Sequence, residues 1–367
     1  MSKARQLADN GAATPNRNMI INGAMNVAQR ATSVTGLGTA TGYFTCDRWK
    51  TQIGATTAGR LTQTQTADGP VGFANCLKFD CTTADTSIAA SERLRIVQLV
   101  EGQNLQRIGK GVTGAQQVTV SFYVKANAAF TFGLELFDND NTRQITKLFA
   151  TTTGWVKHQI TFPADVDDGS SPFDDDNAGS LDVSFWLNAG ATYTGGTLNT
   201  AAWANYVQAN RAAGIDNFFS STDNNFFLTG VQVEVGPAAT PFEHEEISTT
   251  LNKCKRYYTK IAGNGSTVAL FAIGQGYTAD GLYADYNYPV TMRARPTALE
   301  QTGTATDYFI SEADGSSANC TSVPTFGSAT SKHGGTIVYT SSGKTAAGEA
   351  NGMYLAANGY LAWESEL

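Results

Sequence analysis

The sequence predicts an all-β protein: two antiparallel β-sandwich domains joined by a short helical linker, with an N-terminal arm. Three observations predict it. Apolar and polar residues alternate with period two in one segment after another, the mark of strands with one dry and one wet face. Charged residues are only 16% of the chain, with 37 Gly and many Thr, Ser, Asn and Ala in their place. That composition suits short strands and tight turns, and excludes a coiled coil or a charge-driven disordered chain. The length, 367 residues, is too great for one ordinary sandwich and sufficient for two compact domains.

Residues 1–17 read as an arm carrying Lys3, Arg5 and Arg17 against Asp9, interrupted by Asn10, Gly11 and Pro15. Ala4 to Ala8 forms one helical turn when docked on a partner, or the terminus frays. The first domain spans 18–244. A strand is expected at 71–81. In 116–125, Val118, Val120, Phe122 and Val124 alternate with polar residues, and in 129–137 Phe130, Phe132, Leu134 and Leu136 do. Val156, His158, Ile160 and Phe162 share one face of 155–162; Leu181, Val183, Phe185 and Leu187 share one face of 181–188. Phe227, Val231, Val233 and Val235 oppose Gln232 and Glu234 in 226–235. Long polar connections at 165–179 and 189–225 interrupt the strands, and a short helix is expected in 201–213. In the linker, 245–258, Ile247, Leu251, Cys254 and Tyr258 recur at helical spacing. The second domain, 259–367, has strands expected at 267–273, 282–290, 307–311, 336–340 and 353–363, enough for a single sandwich or small barrel. Gly-X-Y triplets and heptads are absent, so no collagen-like or coiled-coil shaft is encoded.

A net charge of −7, with basic residues clustered only near the start, argues against a nucleic-acid partner. No apolar run approaches the roughly 20 residues that span a bilayer, and residues 1–18 lack a signal-peptide stretch, so a soluble protein made in the cytosol is expected. Cys46, Cys76, Cys81, Cys254 and Cys320 are odd in number and scattered, a poor disulfide framework; all five are expected as buried free thiols. Cys76 and Cys81, five apart on a strand, fall on opposite faces. His158, His244 and His333 have no zinc-site spacing, and His158 is expected as a core histidine bonded to backbone. There is no G-x-S-x-G elbow and no Walker A motif; residues 36–42 are a Gly-rich loop. No catalytic residue, metal or cofactor is therefore assigned, and the chain is expected not to be an enzyme.

Carboxylates and aromatics are what remain. Asp165, Asp167, Asp168, Asp174, Asp175 and Asp176 crowd one loop, with Asp138 and Asp140 in another. They form a solvated turn, or a calcium site in which the cation relieves their repulsion; a hydrolytic pair across a sugar cleft needs a geometry that sequence does not show. Trp186 and Ser184 lie opposite the apolar face of their strand. Trp186 is then an exposed platform for a sugar ring, with Tyr193 and Trp203 from the following segment, or it is buried by that segment or by a neighbouring subunit. Trp49 reads as a core plug. Tyr286 and Tyr288 alternate with Leu282 and Ala284 into the core, leaving Tyr283 on the other face.

Several stretches carry a family resemblance: 16–30 (NRNMIINGAMNVAQR) with 43–49 (YFTCDRW), 226–244 (FFLTGVQVEVGPAATPFEH) leading into 251–260 (LNKCKRYYTK), 288–297 (YPVTMRARPT), and 360–367 (YLAWESEL). In order and spacing they resemble a module of bacteriophage tail-fibre and other virion appendage proteins, departing from it at Trp363 and Glu364. The resemblance implies a jelly-roll first domain like a carbohydrate-binding module, a homotrimer, and attachment to other virion proteins through the arm. It implies a virion structural protein assembled in the host cytoplasm, contributing to host-surface glycan attachment through loops such as 189–225. A capsid decoration or tail-associated protein without a ligand is the alternative, and a polysaccharide depolymerase the further one. Phe242, after Pro241, is expected to anchor the two domains together.

Overall fold

Alternating segments become antiparallel strands throughout the computed structural model, which describes residues 16–54, 58–166, 171–263, 268–311, 315–343 and 345–367. Residues 1–15 of the expected arm, and Asp167 and Asp168, lie outside the described residues. The chain divides into two units, Met1–Ile247 and Ser248–Leu367.

The first unit holds β1 (Ser33–Leu37), β2 (Gly42–Tyr43), β3 (Lys50–Gly54), β4 (Arg60–Thr66), β5 (Cys76–Thr83), β6 (Arg93–Glu101) and β7 (Val118–Ala126). These are followed by β8 (Thr131–Asp138), β9 (Arg143–Ala150), β10 (Val156–Phe162), β11 (Gly179–Ala189), a one-turn helix α1 (Ala191–Thr194), β12 (Ala204–Asn205) and β13 (Asn225–Val235). Two sheets form, in the orders β1-β4-β5-β13-β7-β10 and β12-β9-β8-β11-β6-β3-β2. The chain passes repeatedly from one sheet to the other, giving a jelly-roll-like antiparallel sandwich. The expected inward faces meet in one core: Val120, Phe122, Val124 and Val233 from the first sheet, Phe132, Leu134, Leu136, Val183 and Phe185 from the second. Trp49 is fully buried in it. His158 stacks on Phe122, and its Nε2 lies 2.8 Å from the Ala150 carbonyl oxygen.

Two sequence expectations differ here. The strand expected at 71–81 is β5, because Pro70 starts a turn that leaves Val71 fully exposed. No helix forms in 201–213: residues 204–207 run extended along β9, with the Tyr206 amide on the Thr142 carbonyl and Gln144 Nε2 on that of Val207, before one 3₁₀ turn at Gln208–Asn210. Phe242 packs edge-on against Phe73 at 4.9 Å.

α2 (Ile247–Lys255) begins at the last residue of the first unit, and the second unit holds the rest of it, β14 (Tyr258–Ala262), β15 (Ala269–Gly276), β16 (Gly281–Asn287), β17 (Leu299–Gln301) and β18 (Tyr308–Ser311). Then come β19 (Ser317–Asn319), β20 (Thr325–Phe326), β21 (Gly334–Thr340), β22 (Ala350–Leu355) and β23 (Tyr360–Glu364). A three-stranded sheet, β14-β23-β17, and a seven-stranded one, β19-β18-β22-β15-β16-β21-β20, share a second core around Tyr308, Ile337, Tyr339, Met353, Leu361 and Trp363. The single strand expected at 353–363 is two, β22 and β23, separated by a reversal closed by the Gly359 amide on the Ala356 carbonyl. Tyr288 is buried and Tyr286 stacks on Trp363 at 5.1 Å. In α2, Thr250 and Cys254 are buried, while Ile247 is exposed.

Candidate functional site

The stretches that carry the family resemblance build hydrogen-bonded knots inside each unit. Asn22 Nδ2 donates to the Val27 and Asp47 carbonyls, its Oδ1 accepts from the Val27 amide, and Trp49 Nε1 donates to the Asn22 carbonyl. Asp47 accepts from the Gln29 amide and side chain. Residues 18–23 then lie along β13, where Met19 N donates to Val233 O and Val231 N to Gly23 O. Glu243 caps the Asn16 and Asn18 amides, while Gln232 donates to Glu234 and accepts from the Glu243 amide. In the second unit Arg293 donates to the Ser365 and Glu366 carbonyls, and its amide donates to Arg256 O. Most of these bonds go to backbone groups of the same unit, so the polar residues brace the local fold.

Of the two readings of Trp186, the exposed platform fails and burial by the following segment holds: Trp186 is fully buried, and residues 190–216 fold over that face of the second sheet as a roof. Tyr193, on α1, meets Trp186 at 5.3 Å and is itself buried, hydrogen-bonded to Arg93. Trp203 is not brought to them. It is half-buried against the main core, with its indole N–H on the Pro163 carbonyl at 2.9 Å. Beneath the roof lies an ionic cluster that sequence reasoning missed. Arg211, from the roof, grips Glu135 of β8 through two bonds of 2.7 Å. Glu135 also accepts from Trp186 Nε1 at 2.8 Å, and Arg95 Nη1 lies 3.4 Å away. Arg95 reaches towards Asp182 at 3.6 Å and donates to Ser184. Burial, together with the charge of Arg211, lowers the Arg95 pKa to about 10. Burial raises that of Asp182 against the pull of Arg95. Burial also works against the charge on Arg211, but Glu135 outweighs it and holds Arg211 above its ordinary value.

The acidic loops are divided among separate partners. Asp165 is buried and held by Arg143 through two 2.8 Å bonds, and Asp138 lies 2.6 Å from Lys110. Neither is a solvated turn residue, because a cationic side chain already neutralises each. Asp174, Asp175 and Asp176 are exposed, as a solvated turn requires. Among the described residues no group of three His, Cys, Asp or Glu side chains converges as a metal-ligand set. Trp203, Lys110, Asp165 and Phe173 line a void of about 10 Å³.

The second unit offers an open site. Alternation along β16 sends Leu282 and Ala284 inward and turns Tyr283 and Asp285 outward. Tyr283 is 46% exposed and Tyr277 is 42% exposed; the two rings stack at 4.2 Å, 20° from parallel. Gly281 permits this, since a Cβ there would fall 2.5 Å from the Tyr277 ring. Across the β16–β21 pairing, Tyr283 faces Val338 and Asp285 faces Thr336, whose hydroxyl donates to Asp285 Oδ1 at 2.7 Å. The far wall is the loop Gly327–Ser328–Ala329, anchored by the Gly327 amide on Thr336 O and by Thr330 Oγ1, which accepts from Thr336 N and donates to Gly327 O. Tyr283, Asp285, Thr336, Val338, Phe326 and the Gly327–Ser328–Ala329 loop line an open groove of about 520 Å³, within the range of small-ligand sites, with Tyr277 stacked on Tyr283 beside it. The sequence signal was the outward parity of Tyr283; the ring of Tyr277 and the loop wall depend on tertiary folding. No helix among the described residues is long and apolar enough to cross a membrane.

No protein-family model matches the chain, and no curated protein matches it. Among solved structures it is similar to the enzymatically active domain of tailspike protein 4 of Bacteriophage CBA120, with 9% identity and a TM-score of 0.31 over 60% of this chain. The chain spans only 22% of that tailspike. It is similar to a family 61 carbohydrate-binding module in complex with β-1,4-galactotriose (12% identity, TM-score 0.29), covering 60% of this chain and 99% of the module. It is also similar to the C-terminal family 22 carbohydrate-binding module of a Clostridium thermocellum protein (11% identity, TM-score 0.29), covering 62% and 99%. Likeness at this level carries no argument about ligand or activity, and the architecture above stands on the strands themselves.

Proposed function

We propose that this protein is a non-catalytic carbohydrate-binding attachment protein of a virion appendage, acting as a homotrimer and docked on the particle through its N-terminal arm. The observation that carries the binding half of this reading is the groove of the second unit, where an exposed pair of stacked tyrosines stands beside a carboxylate and hydroxyls. A sugar ring lays its C–H face on such a platform while polar groups take its hydroxyls. Only one carboxylate, Asp285, stands among the groove's described lining residues, whereas glycoside hydrolysis needs two across the bond. The virion half rests on the sequence resemblance alone. Three copies on one particle would raise a weak site to useful avidity.

The test is binding of the full chain to arrayed bacterial surface polysaccharides. Retention of at least one glycan is expected, with binding abolished in Tyr283→Ala. Gly281→Ala should displace the Tyr277 ring and weaken binding roughly two- to tenfold, the worth of one aromatic contact, without changing the melting temperature. Binding that survives Tyr283→Ala, or none at all, overturns the reading. Immunogold labelling of intact particles tests the location: label elsewhere than on an appendage rejects the virion half.

A further inference from the structure

Resting on the reading of that groove as a saccharide site, we infer that it selects ligands by charge, taking neutral or amine-bearing pyranosides and excluding acidic ones. Asp285 is the only ionic group among the described lining residues. Its Oδ1 is occupied by the Thr336 hydroxyl, which leaves Oδ2 to accept from a ligand. That oxygen suits an ammonium, or the hydroxyl of a neutral sugar, and repels a uronate or sialate carboxylate or a phosphate. Among the described lining residues no lysine or arginine offsets it. Arg295, the cation bonded to the wall loop, places Nη2 on the Ser328 carbonyl at 2.8 Å, where it braces the backbone. The other side-chain hydroxyls among the described lining residues are those of Tyr283 and Ser328, both neutral and exposed. Val338 and the Tyr283 face provide apolar surface for a ring and nothing that would compensate a buried anion. Acidic sugars are usually recognised through guanidinium or ammonium groups that pair their carboxylate, and this groove presents the opposite sign.

The experiment uses the full chain on an array of oligosaccharides in matched neutral, 2-amino and uronic forms, each in gluco, galacto and manno configuration. Within the configuration that binds, the neutral and amino forms are expected to bind, and the uronic form at least about fivefold more weakly, as expected for one partly exposed like-charge contact. Asp285→Asn, which retains an acceptor for Thr336, should raise uronic binding towards the neutral level and erase any preference for the amine. Uronic binding equal to or tighter than neutral, or unchanged by Asp285→Asn, overturns the charge inference while leaving the saccharide reading intact. If no form in any configuration binds, the saccharide reading fails and this inference falls with it.

Discussion

Glu135 receives three side chains at once: the Arg211 fork, the Trp186 indole and, at longer range, Arg95. It is fully buried, so these charges are not diluted by solvent. Removing one partner from such a cluster leaves the others desolvated and unpaired. Glu135→Gln is therefore expected to destabilise the first unit by about 3–5 kcal/mol, read by urea unfolding. A change below about 1 kcal/mol would show that Arg95 and Arg211 find water instead. The cluster escapes sequence reading for a physical reason. Its members come from β6, β8, β11 and the roof, so no spacing announces them. Trp186 stayed open between platform and buried residue because alternation reports which face a residue occupies and says nothing of what covers that face. Asp165 and Asp138 looked like turn residues for the same reason, their partners Arg143 and Lys110 being fixed only by folding.

At the scale of elements, strands with one dry face were legible. β7, β8, β10, β11 and β13 appear where alternation placed them, with Val120, Phe132, Phe185 and Val233 inside. β6 and β9 were not read, because Arg95, Gln98, Arg143 and Gln144 are buried polar residues that blur the pattern. The segment 18–23 was placed in the first sandwich domain, but its pairing with β13 was not read. It packs on β13 so closely that a Cβ at Gly23 would lie 2.0 Å from the Val231 carbonyl oxygen. That contact is backbone on both sides and has no rotamer to relieve it. Gly23→Ala is expected to lower stability by about 1–3 kcal/mol. The melting temperature should fall by several degrees, and an unchanged value would mean that β13 shifts freely.

Over the whole molecule the five cysteines are buried, spread through both units. Burial pushes Cys76 and Cys81 up to about 11 and Cys320 to about 12, from an ordinary value near 9. A thiol harder to ionise when folded favours the native state fully below pH 9, and that contribution disappears as pH rises through 11 to 12. Stability should accordingly fall between pH 9 and 12, as followed by circular dichroism. At pH 8 a thiol reagent should label the native chain slowly and all five cysteines after unfolding in guanidinium. Rapid labelling of the native chain would contradict the buried placement.

The roof of residues 190–216 is fastened by ions that dissolved salt cannot approach. Mobile counterions weaken pairs that stand in water, and they have little access to Arg211, Glu135 and Arg95. The closed face should thus hold from dilute buffer to molar sodium chloride, behaving as masonry and not as a valve worked by the medium. Any recognition that does change with salinity must then arise elsewhere on the chain.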